Sequence, residues 1–373
     1  MSPLQQQETA EEWKTLGNAL FDQEDYKGAI AAYEKAVALD PKYAAAWYNL
    51  GNARSELDDH KGAIAAYEKV VTLDPKDTEA WYNLGNTRSE LGDFKGAIEA
   101  YEKTLALDPE IAAAWNNLGI VRKSQGDLKG TVEAYERALA LDPKLVVTWY
   151  NLGIARSALK DYKGAVEANE RALALDPKYA KAWINLGIAR SDLKNYKGAV
   201  EAHEQALSLD PKDVKAWYNL GVVRSHLMNY TGAMEAYERA LALDPKDVNA
   251  WNTLGVARSN LMNYTGAMEA CERALELDPK YANAWNTLGV ARFYLNDYKG
   301  AEEAYKQALA LDPKYANAWY NLGLAYKMLE QNAKALYCYE RNTTLGDPNG
   351  KIKVEKLRAR GINPRAIKFP DAS

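Results

Sequence analysis

Residues 44–77 read AAAWYNLGNARSELDDHKGAIAAYEKVVTLDPKD. Trp47, Leu50, Gly51 and Arg54 recur at i, i+3, i+4 and i+7, which is one face of a helix. Leu57-Asp58-Asp59 interrupts that pattern. Ala63, Tyr67 and Val70 then mark a second helical face, closed by Leu73-Asp74-Pro75. Proline has no N–H to give to a helix, so Pro75 suits the entry to a following helix rather than a helix interior. The stretch predicts helix, short turn, helix, turn.

The same unit recurs along nearly the whole chain. All ten tryptophans fall on a 34-residue grid: Trp13, Trp47, Trp81, Trp115, Trp149, Trp183, Trp217, Trp251, Trp285 and Trp319. One 34-residue hairpin has too little core to fold alone, but each added unit buries its apolar face on a neighbour. The 373 residues therefore read as one repeat array and not as two or three separate domains. Residues 1–9 form an N-terminal tail, 10–349 ten units, and 350–373 a basic capping helix and tail.

Trp-x2-Leu-Gly, then Ala-x3-Tyr and a closing Pro, at this period, resembles the tetratricopeptide repeat. The resemblance implies an all-α fold: a right-handed superhelical solenoid of ten helix-turn-helix hairpins plus a C-terminal capping helix. It also implies that the first helices line a concave groove.

Two glycine rows accompany the repeat. Gly51 and its equivalents lie inside each first helix, where Gly costs about 1 kcal/mol against Ala. The missing side chain is expected to let another backbone approach. A second row, such as Gly62, follows Lys or Thr at the opening of the second helix and reads as a mark of duplication.

Net charge is −4, which disfavours nonspecific nucleic-acid binding. Met1 to Ala10 holds no apolar run, so neither a secretory signal nor a membrane anchor is expected. Cys271 and Cys338 lie in different units, which suits a reducing cytoplasm. Cys271 replaces the recurring Tyr of the second helix as a core substitution. His60, His203 and His226 lack metal-ligand spacing. Neither a phosphate-binding glycine loop nor a nucleophile elbow is found. No enzyme activity, cofactor or metal is expected.

Function should then reside on first-helix residues that packing leaves over. In the family these lie just after the Trp and one turn on. After the Trp come Lys14, Tyr48, Tyr82, Tyr150, Tyr218 and Tyr320, with Asn116, Ile184, Asn252 and Asn286 in the other copies. Next stands a row of amides: Asn49, Asn83, Asn117, Asn151, Asn185, Asn219 and Asn321. An Asn side chain can pair with both groups of a peptide unit. Such a ladder is similar to the one in the repeat superhelix of the O-linked N-acetylglucosamine transferases, where it grips substrate protein. Asn is equally an ordinary residue of the repeat, and both readings stand. One turn further, Asn18, Asn52 and Asn86 give way to Ile120, Ile154, Ile188, Val222, Val256, Val290 and Leu324. The groove is expected to be polar at its N-terminal end and apolar thereafter.

Lys14, Asn18 and Asn49 also fall where chaperone-binding members place part of a carboxylate clamp. Tyr82 and Asn86 stand where the clamp needs basic residues. Arg54, Arg88, Arg122, Arg156, Arg190, Arg224, Arg258 and Arg292 replace a usual Tyr. Glutamates of the second helices such as Glu68, Glu102, Glu136 and Glu170 are the expected partners, since a buried guanidinium needs one. Asn169 and His203 replace the packing Tyr and are expected to be satisfied by hydrogen bonds, or else to loosen the array. In Lys351 to Lys368 seven basic residues meet one acid, Glu355. Ile352, Val354 and Leu357 are expected to cover the last repeat.

These residues predict a non-catalytic cytoplasmic scaffold that binds an extended peptide or a partner helix, without nucleic acid or membrane insertion. The alternatives are a carboxylate-clamp adaptor of the co-chaperone kind and the substrate-recruiting arm of a larger enzyme.

Overall fold

The computed structural model describes residues 9–363, so the outer N-terminal residues, Arg365 and Lys368 lie outside the described residues. The described residues are helical, with turns and no strand. They divide into two compact units, Met1–Asn185 and Leu186–Ser373. The first unit holds the hairpins α1 (Ala10–Asp22) and α2 (Tyr26–Leu39), α3 (Ala44–Ser55) and α4 (His60–Leu73), α5 (Thr78–Glu90) and α6 (Phe94–Leu107). It continues with α7 (Ala112–Ser124) and α8 (Leu128–Leu141), then α9 (Val146–Ala158) and α10 (Tyr162–Leu175). The boundary falls within α11 (Ala180–Asp192).

The second unit continues with α12 (Tyr196–Leu209), α13 (Val214–His226), α14 (Tyr230–Leu243), α15 (Val248–Asn260) and α16 (Tyr264–Leu277). It ends with α17 (Ala282–Tyr294), α18 (Tyr298–Leu311), α19 (Ala316–Met328), α20 (Asn332–Thr344) and α21 (Asn349–Arg358). Within each unit a helix packs on its hairpin partner and on the next hairpin. The twenty helices expected before the tail are therefore present.

Each turn follows from local chemistry. Asp59 caps α4, its carboxylate accepting the Gly62 N–H at 3.0 Å. A Cβ on Gly62 would stand 2.1 Å from that carboxylate and 2.8 Å from Cδ of Arg54. The second glycine row thus makes room for a cap and for an arginine stem, a requirement that duplication by itself does not explain. Between hairpins, the Trp81 indole N–H donates to the carbonyl of Pro75 at 3.1 Å. The closing proline is tied in this way to the tryptophan of the next copy.

The first glycine row corrects an expectation. A Cβ on Gly51 would lie 2.6 Å from the Tyr67 ring, and one on Gly119 2.5 Å from the Tyr135 ring. The notch receives an aromatic side chain of the same hairpin, not a backbone. Asn169 occupies it at Gly153, His203 at Gly187 and Cys271 at Gly255. All three are fully buried. Asn169 donates to the Ala165 carbonyl at 2.8 Å, but its Oδ1 has no partner among the described residues. Neither ring nitrogen of His203 is hydrogen-bonded among the described residues, contrary to the satisfied state expected. Burial pushes His203 down to about 4, so the ring stays neutral. Cys271 and Cys338 are free thiols, and burial, helped by Glu272, pushes Cys271 up to about 12.

The arginines pair backward along the array. Arg88 meets Glu68 at 2.8 Å, Arg122 meets Glu102 at 2.9 Å and Arg156 meets Glu136 at 2.7 Å, each glutamate lying on the second helix of the preceding hairpin. Arg88 also donates to the Gly96 carbonyl at 3.1 Å. The guanidinium therefore joins three helices, α4, α5 and α6.

At the C-terminal end Leu357 is buried and Val354 partly buried against the last core cluster, joined by Ile362. Ile352 is 60% exposed and does not take part in the cover expected of it. Asn342, fully buried, accepts the Gly350 N–H at 2.9 Å and donates to Ala316 and Asp347, which fixes the α20–α21 junction. At the other end, Leu16 is 45% exposed where its equivalent Leu50 is buried. Glu12 stands there in place of buried Ala46 and closes a capping box with Thr9.

Candidate functional site

In most hairpins the first helix turns its Trp and Leu toward the core and leaves the two positions after the Trp half-buried. Lys14, Asn18, Tyr48, Asn49, Asn52, Tyr82, Asn83 and Asn86 are all half-buried, as are Asn117, Tyr150, Asn151, Asn185, Tyr218, Asn219, Tyr320 and Asn321. Partial exposure is what a binding row needs. The hydrogen bonds, however, divide the row into two kinds.

In the first four hairpins the amides are largely engaged with one another and with tyrosine hydroxyls. Asn18 Oδ1 accepts from the Tyr33 hydroxyl at 2.9 Å and from Asn49 Nδ2 at 2.8 Å. Asn83 donates to the Tyr48 hydroxyl at 2.9 Å. Asn117 donates to the Tyr82 hydroxyl at 3.2 Å and to Asn86 Oδ1 at 3.0 Å. Asn52 and Asn86 also accept from Tyr67 and Tyr101. Burial pushes Tyr33 up to about 12, so its hydroxyl remains a donor at ordinary pH.

Where Ile replaces Asn18, Asn52 and Asn86, the following amide loses its acceptor. Asn151 makes no hydrogen bond among the described residues, and neither does Asn219. The Nδ2 of Asn185 is buried without a partner. Ile120 in the first unit and Val256 in the second are each 42% exposed. The expected change from polar to apolar therefore appears inside the first unit, and the second unit is apolar at this position.

Tyr48 packs edge-on against the notch Tyr67 at 6.0 Å, and Tyr320 lies tilted on the notch Tyr339 at 5.7 Å between centroids. In α15 and α17 the same position is Asn252 and Asn286, both buried. Thr287 donates to Asn252 at 3.1 Å and Asn321 to Asn286 at 3.1 Å. Their departure from Tyr was visible in the sequence; their burial depends on the neighbouring hairpin.

The half-built carboxylate clamp is not completed. Lys14 sits 3.5 Å from Glu11, which also binds the Tyr43 hydroxyl. Asn18, Asn49 and Asn52 line a cavity of about 280 Å³ that contains the carboxylate of Asp22 and no basic residue. Two acids beside the three clamp positions repel a carboxylate ligand. No group of three His, Cys, Asp or Glu side chains that could hold a metal ion occurs among the described residues. No helix among them is long and apolar enough to cross a membrane.

Models of the tetratricopeptide repeat match residues 44–77, 82–146, 146–179, 180–213, 214–247, 248–281 and 270–303. A further model, described as TPR repeat, matches 17–58 and 291–330. None of the curated proteins compared matches the chain. Among solved structures, the MamA protein is 28% identical over 46% of this chain and 94% of its own, with a TM-score of 0.44. YrrB, described as a TPR protein with an unusual peptide-binding site, is 24% identical over 50% of this chain and 96% of its own, with a TM-score of 0.45. A chain of the APC/C hetero-tetramer Cut9-Hcn1 is 16% identical over 94% of this chain and 96% of its own, with a TM-score of 0.50, a likeness of fold alone.

Proposed function

The chain belongs to the tetratricopeptide repeat family, a class of protein-interaction scaffolds, and from this premise we propose that it holds extended segments of a partner protein along the first-helix face of each of its two units. In the family that face is the concave one. The scaffold acts without catalysis and works in the cytoplasm, in the assembly of a larger complex. Nucleic acid is not its ligand, given the net charge of −4.

One observation carries this reading: Asn151 and Asn219 are half-buried and make no hydrogen bond among the described residues. A half-buried amide with its donors and acceptor unspent can pair with a peptide unit at little desolvation cost. Asn49, Asn83 and Asn117 are already engaged within the chain and serve as supports for the row.

The test begins with a pull-down and mass spectrometry, followed by mapping of the bound segment. Its affinity is then measured for the wild type, for Asn151→Ala with Asn219→Ala, and for Glu133→Gln with Glu167→Gln and Glu201→Gln. One neutral hydrogen bond of about 1 kcal/mol lost in each unit predicts roughly fivefold weaker binding at either unit for the asparagine variant. The exposed glutamates should leave binding unchanged. The opposite pattern moves the site to the second helices and overturns the proposal.

A further inference from the structure

The turns of the seventh and eighth copies depart from all the others. Met228 and Met262 stand at the turn tips, 75% and 76% exposed. Both have left-handed backbone, with φ of 57° and 59°. Other copies place Glu24, Asp58, Gly92, Gly126, Lys160, Lys194, Asn296 and Glu330 at this tip. Three residues on, Thr231 and Thr265 replace a lysine found in seven copies, for example Lys163, Lys197 and Lys299. The cap between them is Asn229 or Asn263 instead of the more frequent Asp. Two adjacent turns have thus lost their charges and gained an exposed apolar side chain.

The first-helix face beside these turns is altered in the eighth and ninth copies. Asn252 and Asn286 replace the Tyr ring that follows Trp in Tyr218 and Tyr320, and their shorter side chains are buried. A cavity of about 420 Å³ lies there, walled by Val256 and Val290 of the first helices and by Met262, Tyr264 and Tyr294 at the turn edge. Tyr264 and Tyr294 stack face to face, with centroids 4.8 Å apart and planes 8° from parallel. The polar wall groups, such as Ser259 and Asn260, are uncharged.

We infer that this cavity and the two methionine turns form an anchor site for an uncharged partner segment that carries one bulky apolar side chain. Charge complementarity selects this occupant. A charged residue laid on Met262 and Tyr264 would lose water and meet no opposite charge, whereas an apolar one loses nothing by leaving water. The unbranched thioether side chains of Met228 and Met262 can reshape themselves around such a segment. The inference rests on the first-helix reading, because Val256 and Val290 belong to that face, and it adds a chemical preference and a position along the array.

The test uses the full chain as bait for a random dodecapeptide display library. Enriched peptides are titrated by fluorescence anisotropy against three proteins: wild type, a fourfold variant with Met228→Lys, Thr231→Lys, Met262→Lys and Thr265→Lys, and the Asn151→Ala, Asn219→Ala variant. Lysine already occupies the same turn positions at Lys194 and Lys197, so the fourfold variant keeps the turn conformation, checked by its melting curve. Tyr294→Ser, which restores the residue type of Ser124, is a second variant should the first be unstable.

Enriched peptides should carry a Leu, Met or Phe within an uncharged stretch, and the lysine variant should bind them at least tenfold more weakly. Loss in the lysine variant alone keeps the anchor and sinks the amide grip. Loss in the asparagine variant alone sinks the anchor and leaves the amide grip. Loss in neither sinks both. A wild type that self-associates in sedimentation while the lysine variant is monomeric, with no peptide enriched, makes a second copy the occupant and overturns the inference.

Discussion

Asn117 Nδ2 lies 3.0 Å from Asn86 Oδ1, across two successive hairpins, and 3.2 Å from the Tyr82 hydroxyl. An amide on the first-helix face is therefore spent on joining repeats, whereas Asn151, one copy further, is not. The same residue at the same repeat position has two different roles, as the preceding copy offers Tyr82 and Asn86 to Asn117 but Asn116 and Ile120 to Asn151.

This difference should be measurable as stability. Asn117→Ala removes three neutral hydrogen bonds from a half-buried site, two donated to the preceding hairpin and one accepted from Asn116, and is expected to cost about 1–2 kcal/mol. Asn151→Ala should change stability by less than about 0.5 kcal/mol. Urea unfolding of both variants decides the matter, and equal costs would show that the hydrogen bonds contribute nothing net.

The glycine notch makes a second prediction. Gly119→Ala places a methyl group 2.5 Å from the Tyr135 ring, which is itself buried and held on all sides. Overpacking of this kind costs about 1–3 kcal/mol, against about 1 kcal/mol gained in helix propensity. A lower melting temperature is expected. Should Gly119→Ala stabilise the chain, the ring has room to move and the notch is not a tight fit.

His203 gives the fold a pH dependence. Its pKa is about 4 in the folded state, lowered by burial from an ordinary 6.5. Between these values the unfolded chain binds a proton that the folded chain does not, so stability is complete above about pH 6.5 and falls toward pH 4. Linkage puts the total at roughly 3 kcal/mol, an order-of-magnitude figure. His203→Tyr restores the residue that fills most of the notches and should remove this component. Denaturant midpoints at pH 7 and pH 5 should then differ less for the variant, and an unchanged difference would assign the acid sensitivity to other groups.

The C-terminal helix makes a fourth prediction. Leu357→Asp buries an unpaired charge at a site only 5% exposed and should destabilise the last repeat by several kcal/mol, on the order of other buried-charge substitutions. Ile352→Asp, at 60% exposure, should have almost no effect. Removing residues 349–373 takes away the Gly350 N–H that Asn342 accepts and uncovers the last core cluster. Light scattering should then show self-association. A truncated chain that stays monomeric and melts as before would refute the cap.

The sequence by itself determined the unit, its number and its helices. Ten tryptophans on one period and the 3.6-residue spacing of Trp47, Leu50, Gly51 and Arg54 are local facts, and helix, turn and cap respond to local facts. That arginines pair with second-helix glutamates was also legible, because a part-buried guanidinium needs an acid and the second helices supply it; the backward direction of the pairing came from the structure. Tertiary structure alone decided what fills the Gly51 notch, which first-helix amides remain unspent and which of Ile352 and Leu357 turns inward. Each of these depends on atoms brought together by packing: Tyr67 folding back on Gly51 within a hairpin, Asn117 reaching Asn86 across 31 residues, and α21 rotated so that Leu357 meets the core. The repeat period cannot report them, since it is the same in copies where these contacts form and in copies where they do not.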